Sequence, residues 1–252
     1  GDAKTLKEFS EPSWNNPVVR IIDQKKNDLA NRISYGNYSI ASISHQMIRS
    51  LKISKQKVPV YLQLLNEQTK PKQEKATFAM YCFWTGEVEL GKLHGVSQTE
   101  AGFLEGKEVV DVWFDPTKIS YKTLLKNAQK SRCASTVFSR NKEQMKIATA
   151  VVGAKKVKAS SKKSRPDKEV KYQLRHSLLR HLPMLPIQEA RVNSALGKKS
   201  DPLIYLSPKQ LALLKMIQAN KSEQWPIVIG HPFEKSFKAI WEKAERLKIP
   251  RP

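Results

Sequence analysis

Two thiols and a scatter of imidazoles are the side chains in this sequence that could do chemistry beyond simple charge. Cys82 stands where a short apolar segment, residues 76–81, hands over to one with helical spacing, residues 83–94. A thiol at such a junction faces the positive end of the helix dipole and free backbone N–H groups, which favour the reactive thiolate. An inert buried cysteine is the competing reading, and composition leaves both open. Cys133 is the only other cysteine. Two cysteines make no disulfide framework, and their spacing fits no zinc pattern. The histidines (His45, His94, His176, His181 and His231) are too dispersed to suggest a metal site.

The elements around Cys82 alternate in type. Residues 76–81 read as a strand, and residues 83–94 as a helix that Gly95 closes. Residues 96–103 and 108–114 read as strands, the second rich in β-branched and aromatic side chains. The link at 104–107 is short enough for a hairpin. Asp115-Pro116 ends the strand, and Ser120 is a natural N-cap for a helix over 121–128. The order β-α-β-β-α is a split βαβ, ferredoxin-like pattern, which gives an α+β fold with helices on a mixed sheet.

The flanks are expected to be helical additions. In residues 1–70, Pro17 opens a stretch with Val18, Ile21, Ile22, Leu29 and Ile33 at apolar-periodic positions. Ile40, Ile43, Met47, Ile48 and Leu51 then mark one buried helical face, and residues 58–65 suit either a strand or a helix start. The core is expected over 71–150. Residues 151–169, rich in Lys and Ser, read as a basic linker with no apolar face to pack. The region 170–252 is expected to be helical, with helices at 187–196, 209–219 and 231–248. In the last of these, Phe233, Phe237, Ile240, Trp241, Ala244 and Leu247 share a face and read as core.

With 40% apolar residues the chain can bury a core, so global disorder is excluded. No apolar window approaches 18 residues, which excludes a membrane-spanning helix. Lys and Arg number 45 against 23 acids, a net charge of +22 that attracts nucleic acid, acidic proteins or anionic surfaces. The densest run, residues 155–180, holds a single aromatic, Tyr172. A stacking surface for single strands needs more, so the run reads as a solvated basic face rather than a nucleic-acid footprint. The chain opens Gly1-Asp2-Ala3-Lys4 without Met, and the expectation is a removed leader and an extracytoplasmic location.

Residues 76–87 read A-T-F-A-M-Y-C-F-W-T-G-E, which resembles the A-x-F-A-x-G-C-F-W-G-x-E signature of the A-class peptide methionine sulfoxide reductases. The resemblance continues in order. It takes in Gly95-Val96, Thr99, Ala101-Gly102-Phe103, and Glu108-Val109-Val110 leading to Trp113-Phe114-Asp115-Pro116. It ends with Ile119-Ser120-Tyr121 and Leu124-Leu125, with a further likeness between Cys133–Phe138 and the family's Y-R-S-A-I-Y segment. The resemblance implies that the Cys82 thiolate attacks the sulfoxide sulfur of oxidised methionine, peptide-borne or free, leaving methionine and a sulfenic acid on Cys82. By the same match Glu108 is the half-buried acid that protonates the departing oxygen. Phe83 and Trp84 form the apolar wall for the substrate methyl group, Glu87 is a supporting acid, and Tyr81 flanks the nucleophile. Cys133 falls where the family has an active-site tyrosine, and two readings stay open for it, a resolving thiol or a small core residue. No metal, nucleotide or flavin is implied, since a thioredoxin-like protein or a small thiol suffices as reductant.

The sequence also departs from the family. Tyr81 and Thr85 replace glycines, only four residues separate Phe103 from Glu108, and the D-H-x-x-Q-Y segment is absent. The tyrosines that hold the sulfoxide oxygen in the family thus lack counterparts. The segment from Leu182 to Asn193, with Leu206-Ser207-Pro208-Lys209-Gln210, is similar to an appended region of some divergent bacterial relatives. Its Gln188, Arg191, Asn193 and Gln210 suit either tying helices together or binding. The leading expectation is a thiol-dependent methionine sulfoxide reductase. The alternatives are an interaction protein on the same fold without turnover, and a basic nucleic-acid binder.

Overall fold

The computed structural model describes residues 3–14, 17–69 and 73–249. The opening Gly1-Asp2 pair, on which the expectation of a lost leader rested, lies outside them. The chain divides into two units, Gly1–Thr69 and Lys70–Pro252.

The first unit holds helices α1 (Ala3–Glu8), α2 (Ile40–Ile53) and α3 (Val60–Gln68). The Ser39 hydroxyl caps α2 by accepting the Ser42 N–H. The stretch after Pro17 is not a helix. It folds back on itself through isolated bridges, Val19 to Ile33 and Ile22 to Asp28. The cause is local: Asp23 accepts the backbone N–H groups of both Lys25 and Asn27, an Asx-type turn that competes with helix formation. Arg20 then pins the fold-back, donating to Glu11 at 2.6 Å and to the Phe9 carbonyl at 3.2 Å.

The second unit is built on β1 (Glu74–Ala79), α4 (Phe83–Gly91), β2 (Val96–Leu104), β3 (Lys107–Phe114), α5 (Tyr121–Lys130) and β4 (Thr136–Ser139). Strands β1 and β3 pair antiparallel, as do β1 with β4 and β2 with β3. The four therefore lie in the order β4-β1-β3-β2, the split βαβ arrangement, with α6 (Lys142–Val152) following. Glu105 and Gly106 both take positive φ, 51° and 74°, which is what a two-residue hairpin between β2 and β3 requires. The main core lies on the helical face of the sheet, where Ala76, Phe78, Val110, Val112 and Phe114 meet Leu90, Leu124 and Leu125.

Residues 151–169 do not form a linker. Strand β5 (Val157–Ala159) pairs parallel with β4, and β6 (Arg165–Pro166) pairs antiparallel with β2, so the segment closes both edges of a six-stranded sheet. Backbone pairing at an edge needs no apolar alternation, and most of these side chains are exposed. The segment is also tied down by Arg140, whose guanidinium donates to the Ser160 and Lys162 carbonyls.

The remaining helices are α7 (Tyr172–Arg175), α8 (Pro186–Gly197), α9 (Pro208–Ala219) and α10 (Phe233–Arg246). They share a second apolar cluster that includes Leu174, Leu182, Met184, Ile217 and Ile240. Helix α8 also packs on α4 and β2, so this region belongs to the same unit as the sheet. The approach to α4 is close: a Cβ on Gly91 would stand 2.7 Å from Ser194 Oγ and 2.9 Å from the Ala190 carbonyl. Arg191, buried in α8, donates to the carbonyls of Gly91 and Val96. The polar residues of this region serve as ties. Gln188 and Gln210 bond each other and the Tyr205 and Pro183 carbonyls, and Asn193 accepts the Leu174 N–H. Among the described residues no helix is long and apolar enough to cross a membrane.

Candidate active site

Strand β1 is buried over its last four residues and ends at Ala79. Met80 extends its pairing by donating its N–H to the Glu108 carbonyl at 3.1 Å. Tyr81 then turns out to solvent, 96% exposed. Cys82 follows as the N-cap of α4, with extended backbone (φ −135°, ψ 106°) and a half-buried side chain free of any disulfide. Its carbonyl accepts the Gly86 N–H, the first turn of the helix. Glu108, at the start of β3, is half-buried. Its Oε2 accepts the N–H of Phe83 at 3.1 Å, next in the chain to Cys82. One of the orphan donors at the start of α4 is thus held by the acid that the sequence pairs with the thiol. The antiparallel pairing of β3 with β1 is what sets Glu108 beside the start of α4.

The apolar side of this junction is a chain of rings. Phe83 is buried, meets Trp84 with ring centroids 5.5 Å apart, and sits edge-on to Phe103 at 5.3 Å. Trp84 is only partly buried. Its indole N–H donates to Asp167 Oδ2 at 3.2 Å, and its face is stacked on Tyr172 at 4.1 Å. Tyr172 in turn meets the His176 ring at 4.4 Å, and the Arg165 guanidinium lies 4.6 Å from the Phe103 ring centre. Sequence reasoning missed Tyr172, Asp167 and Arg165 as neighbours of this site. The one signal was Tyr172 as the lone aromatic in a basic run.

Cys133 lies near the junction but in a different environment. Ser135 bonds the Ala79 carbonyl through both its N–H and its hydroxyl, which sets this segment beside the end of β1. The Cys133 thiol is 2% exposed and points at the Ser131 carbonyl, 3.2 Å away. Burial pushes its ionisation up to about 11, with the charges of Glu89 and Cys82 adding to the effect.

Glu87 is not gathered into the site. Its side chain is fully buried and receives the Lys171 ammonium at 2.6 Å and the Lys171 backbone N–H at 2.9 Å. Lys171 is itself buried, holds a left-handed backbone (φ 54°), and also donates to the Thr99 carbonyl. The pair fastens the start of α7 to α4, so the supporting acid inferred from the sequence serves the architecture instead. Among the described residues no group of three or more His, Cys, Asp or Glu side chains is placed to hold a metal ion.

The architecture is α+β, a split βαβ sheet with a cysteine capping the helix after its first strand. Comparison with known proteins agrees with the motif. The chain is 37% identical to the peptide methionine sulfoxide reductase MsrA of Geobacter metallireducens, over 22% of this chain and 45% of that protein. It is 27% identical to MsrA 1 of Rhodopirellula baltica, over 36% of this chain and 64% of that protein. A solved methionine sulfoxide reductase A from Corynebacterium diphtheriae aligns at 14% identity and a TM-score of 0.29, over 53% of this chain and 69% of that one. No family model matches the chain. It spans about half the length of the curated relatives it matches. The chain is thus similar to MsrA proteins over part of its length.

Proposed function

We propose that the protein reduces methionine sulfoxide to methionine with Cys82 as nucleophile. The observation that carries this reading is the hydrogen bond from Phe83 N–H to Glu108, which fixes a carboxyl group to the residue that follows Cys82 at a helix start. Cys82 sulfur attacks the sulfoxide sulfur, Glu108 supplies a proton to the oxygen, and the S–O bond of the substrate breaks. Methionine sulfur gains two electrons and Cys82 becomes a sulfenic acid. An external thiol then forms a mixed disulfide with Cys82 and releases water, and a second thiol equivalent frees Cys82. A thioredoxin-like protein or a small thiol fills that role. Cys133, deeply buried and hard to ionise, acts in this scheme as a core residue.

The test is thiol-dependent reduction of the separated S and R epimers of a blocked methionine sulfoxide by the wild type and by Cys82→Ser. Turnover of one epimer that disappears in the variant supports the proposal. Equal rates in both proteins contradict it. One observation favours a second reading, a fold kept for interaction without turnover: one face of Trp84 is covered by Tyr172. Under that reading neither epimer is reduced.

A further inference from the structure

We infer that a cleft between β2, α8 and the start of α10 binds a cationic group on an aliphatic stem, a primary ammonium or a guanidinium, through Glu189 and Glu100. The cleft has a volume of about 440 Å³ and lies within the second unit. That is within the range of roughly 300–1,000 Å³ typical of small-molecule sites. Its walls are largely apolar, formed by Pro166, Val170, Pro186 and Phe233. Such walls suit an alkyl stem, and the Phe233 ring can attract a cation.

The polar groups decide the sign of the ligand. Glu189 is 7% exposed, and one of its oxygens accepts the Gly230 N–H at 2.9 Å. Its second oxygen has no donor among the described residues, and the side chain lines the cleft. Glu100 lines the same cleft, half-buried, and its side chain has no hydrogen-bond or ion-pair partner among the described residues. Two donors at the cleft, one of them the strongest cation there, are already taken. The Lys171 ammonium is held by Glu87 and the Thr99 carbonyl, and Gly230 N–H by Glu189. The carboxylate oxygens of Glu189 and Glu100 are left over beside apolar walls, so the cleft suits a donor-rich cation.

Burial pushes Glu189 up to about 7, with nearby Glu87 adding to the effect and Lys171 and the Gly230 N–H opposing it. Burial also raises Glu100. A cation therefore binds better at pH 8, where Glu189 is ionised, than at pH 6. His231 lies in the lining of the same cleft. The Glu87–Lys171 pair completes the set of charged groups facing Glu189.

The inference is independent of the reductase reading, so Cys82→Ser should bind as the wild type does. Calorimetric titrations of the full chain at pH 6 and pH 8 would use n-butylammonium and n-butylguanidinium as free cations. Nα-acetyl-lysine methylamide and Nα-acetyl-arginine methylamide would represent side chains of a protein partner, and inorganic phosphate would be the anion control. Saturable binding of a cation, weakened by about 10- to 100-fold in Glu189→Gln and stronger at pH 8, is expected. Preference for the blocked amino acids would identify a protein side chain as the source, and preference for the simple cations a free metabolite. His231→Gln should keep the pH dependence, and Glu100→Gln gives a second weakening should Glu189→Gln fail to fold. Absence of saturable cation binding, indifference to both glutamate substitutions, or binding of phosphate in place of cations would overturn the inference.

Discussion

Glu108 Oε2 accepts the backbone N–H of Phe83 at 3.1 Å, so the acid at the start of β3 is fixed to the residue that follows Cys82. Glutamine can keep that acceptor but cannot deliver a carboxylic proton. Glu108→Gln is expected to retain the fold and lose about 10²- to 10⁴-fold in kcat for sulfoxide reduction, with KM nearly unchanged. Steady-state kinetics beside circular dichroism would check this. A large loss of folding with normal specific activity in the remaining soluble fraction would show that Glu108 acts only as a cap.

Tyr172, from the region after the sheet core, stacks on Trp84 at 4.1 Å. An aromatic pair of this kind contributes about 0.5–1.5 kcal/mol. If the stack shapes the substrate wall, Tyr172→Ala should raise KM by roughly 2- to 10-fold with a small change in kcat. A fall in KM instead would mean that Tyr172 covers the wall and must leave it for substrate to enter.

The two thiols should differ sharply in reactivity. Burial raises Cys133 to about 11, so near neutral pH it is almost entirely protonated as well as inaccessible. Iodoacetamide at pH 8 is expected to label Cys82 in the folded protein and leave Cys133 untouched until the chain unfolds. The same shift links to stability. A thiol raised from 9.0 to about 11 contributes stability that is present below pH 9 and is lost as pH rises through about 11. Rapid labelling of both thiols in folded protein, followed by peptide mass spectrometry, would contradict this assignment. Cys133→Ser should turn over normally with an external thiol as reductant.

Glu87 and Lys171 form a buried ion pair with side chains 0% and 5% exposed. Removing one partner strands the other charge, so Glu87→Gln or Lys171→Met alone should each cost about 3–5 kcal/mol. The double substitution should cost much less than the sum. Denaturant unfolding of the four proteins of the cycle measures the coupling, and additive losses would show that the pair does not fasten α7 to α4.

Much of this was legible in the sequence. The alternation and turn residues from Ala76 to Lys130 locate β1, α4, β2, β3 and α5 to within a few residues, because each carries its own period and its own cap. Ser120, for example, accepts the Thr123 N–H as an N-cap should. The strand pairs β4–β5 and β2–β6 were illegible, since strands of two and three exposed residues leave no apolar pattern. The fold-back after Pro17 was misread because Asp23 and Arg20 act through side-chain bonds that apolar spacing does not register. The role of Glu87 was hidden for another reason. Its partner Lys171 lies 84 residues away, in a stretch whose many other lysines are solvated.

The most direct test of the account is a single turnover without reductant. Wild-type protein mixed with excess methionine sulfoxide should yield close to one methionine per chain, and a dimedone trap should mark a sulfenic acid on Cys82 alone. Cys82→Ser should yield none. Methionine formed without modification of Cys82, or no methionine from protein whose Cys82 still alkylates readily, would contradict the assignment of Cys82 as the nucleophile of a sulfoxide reductase.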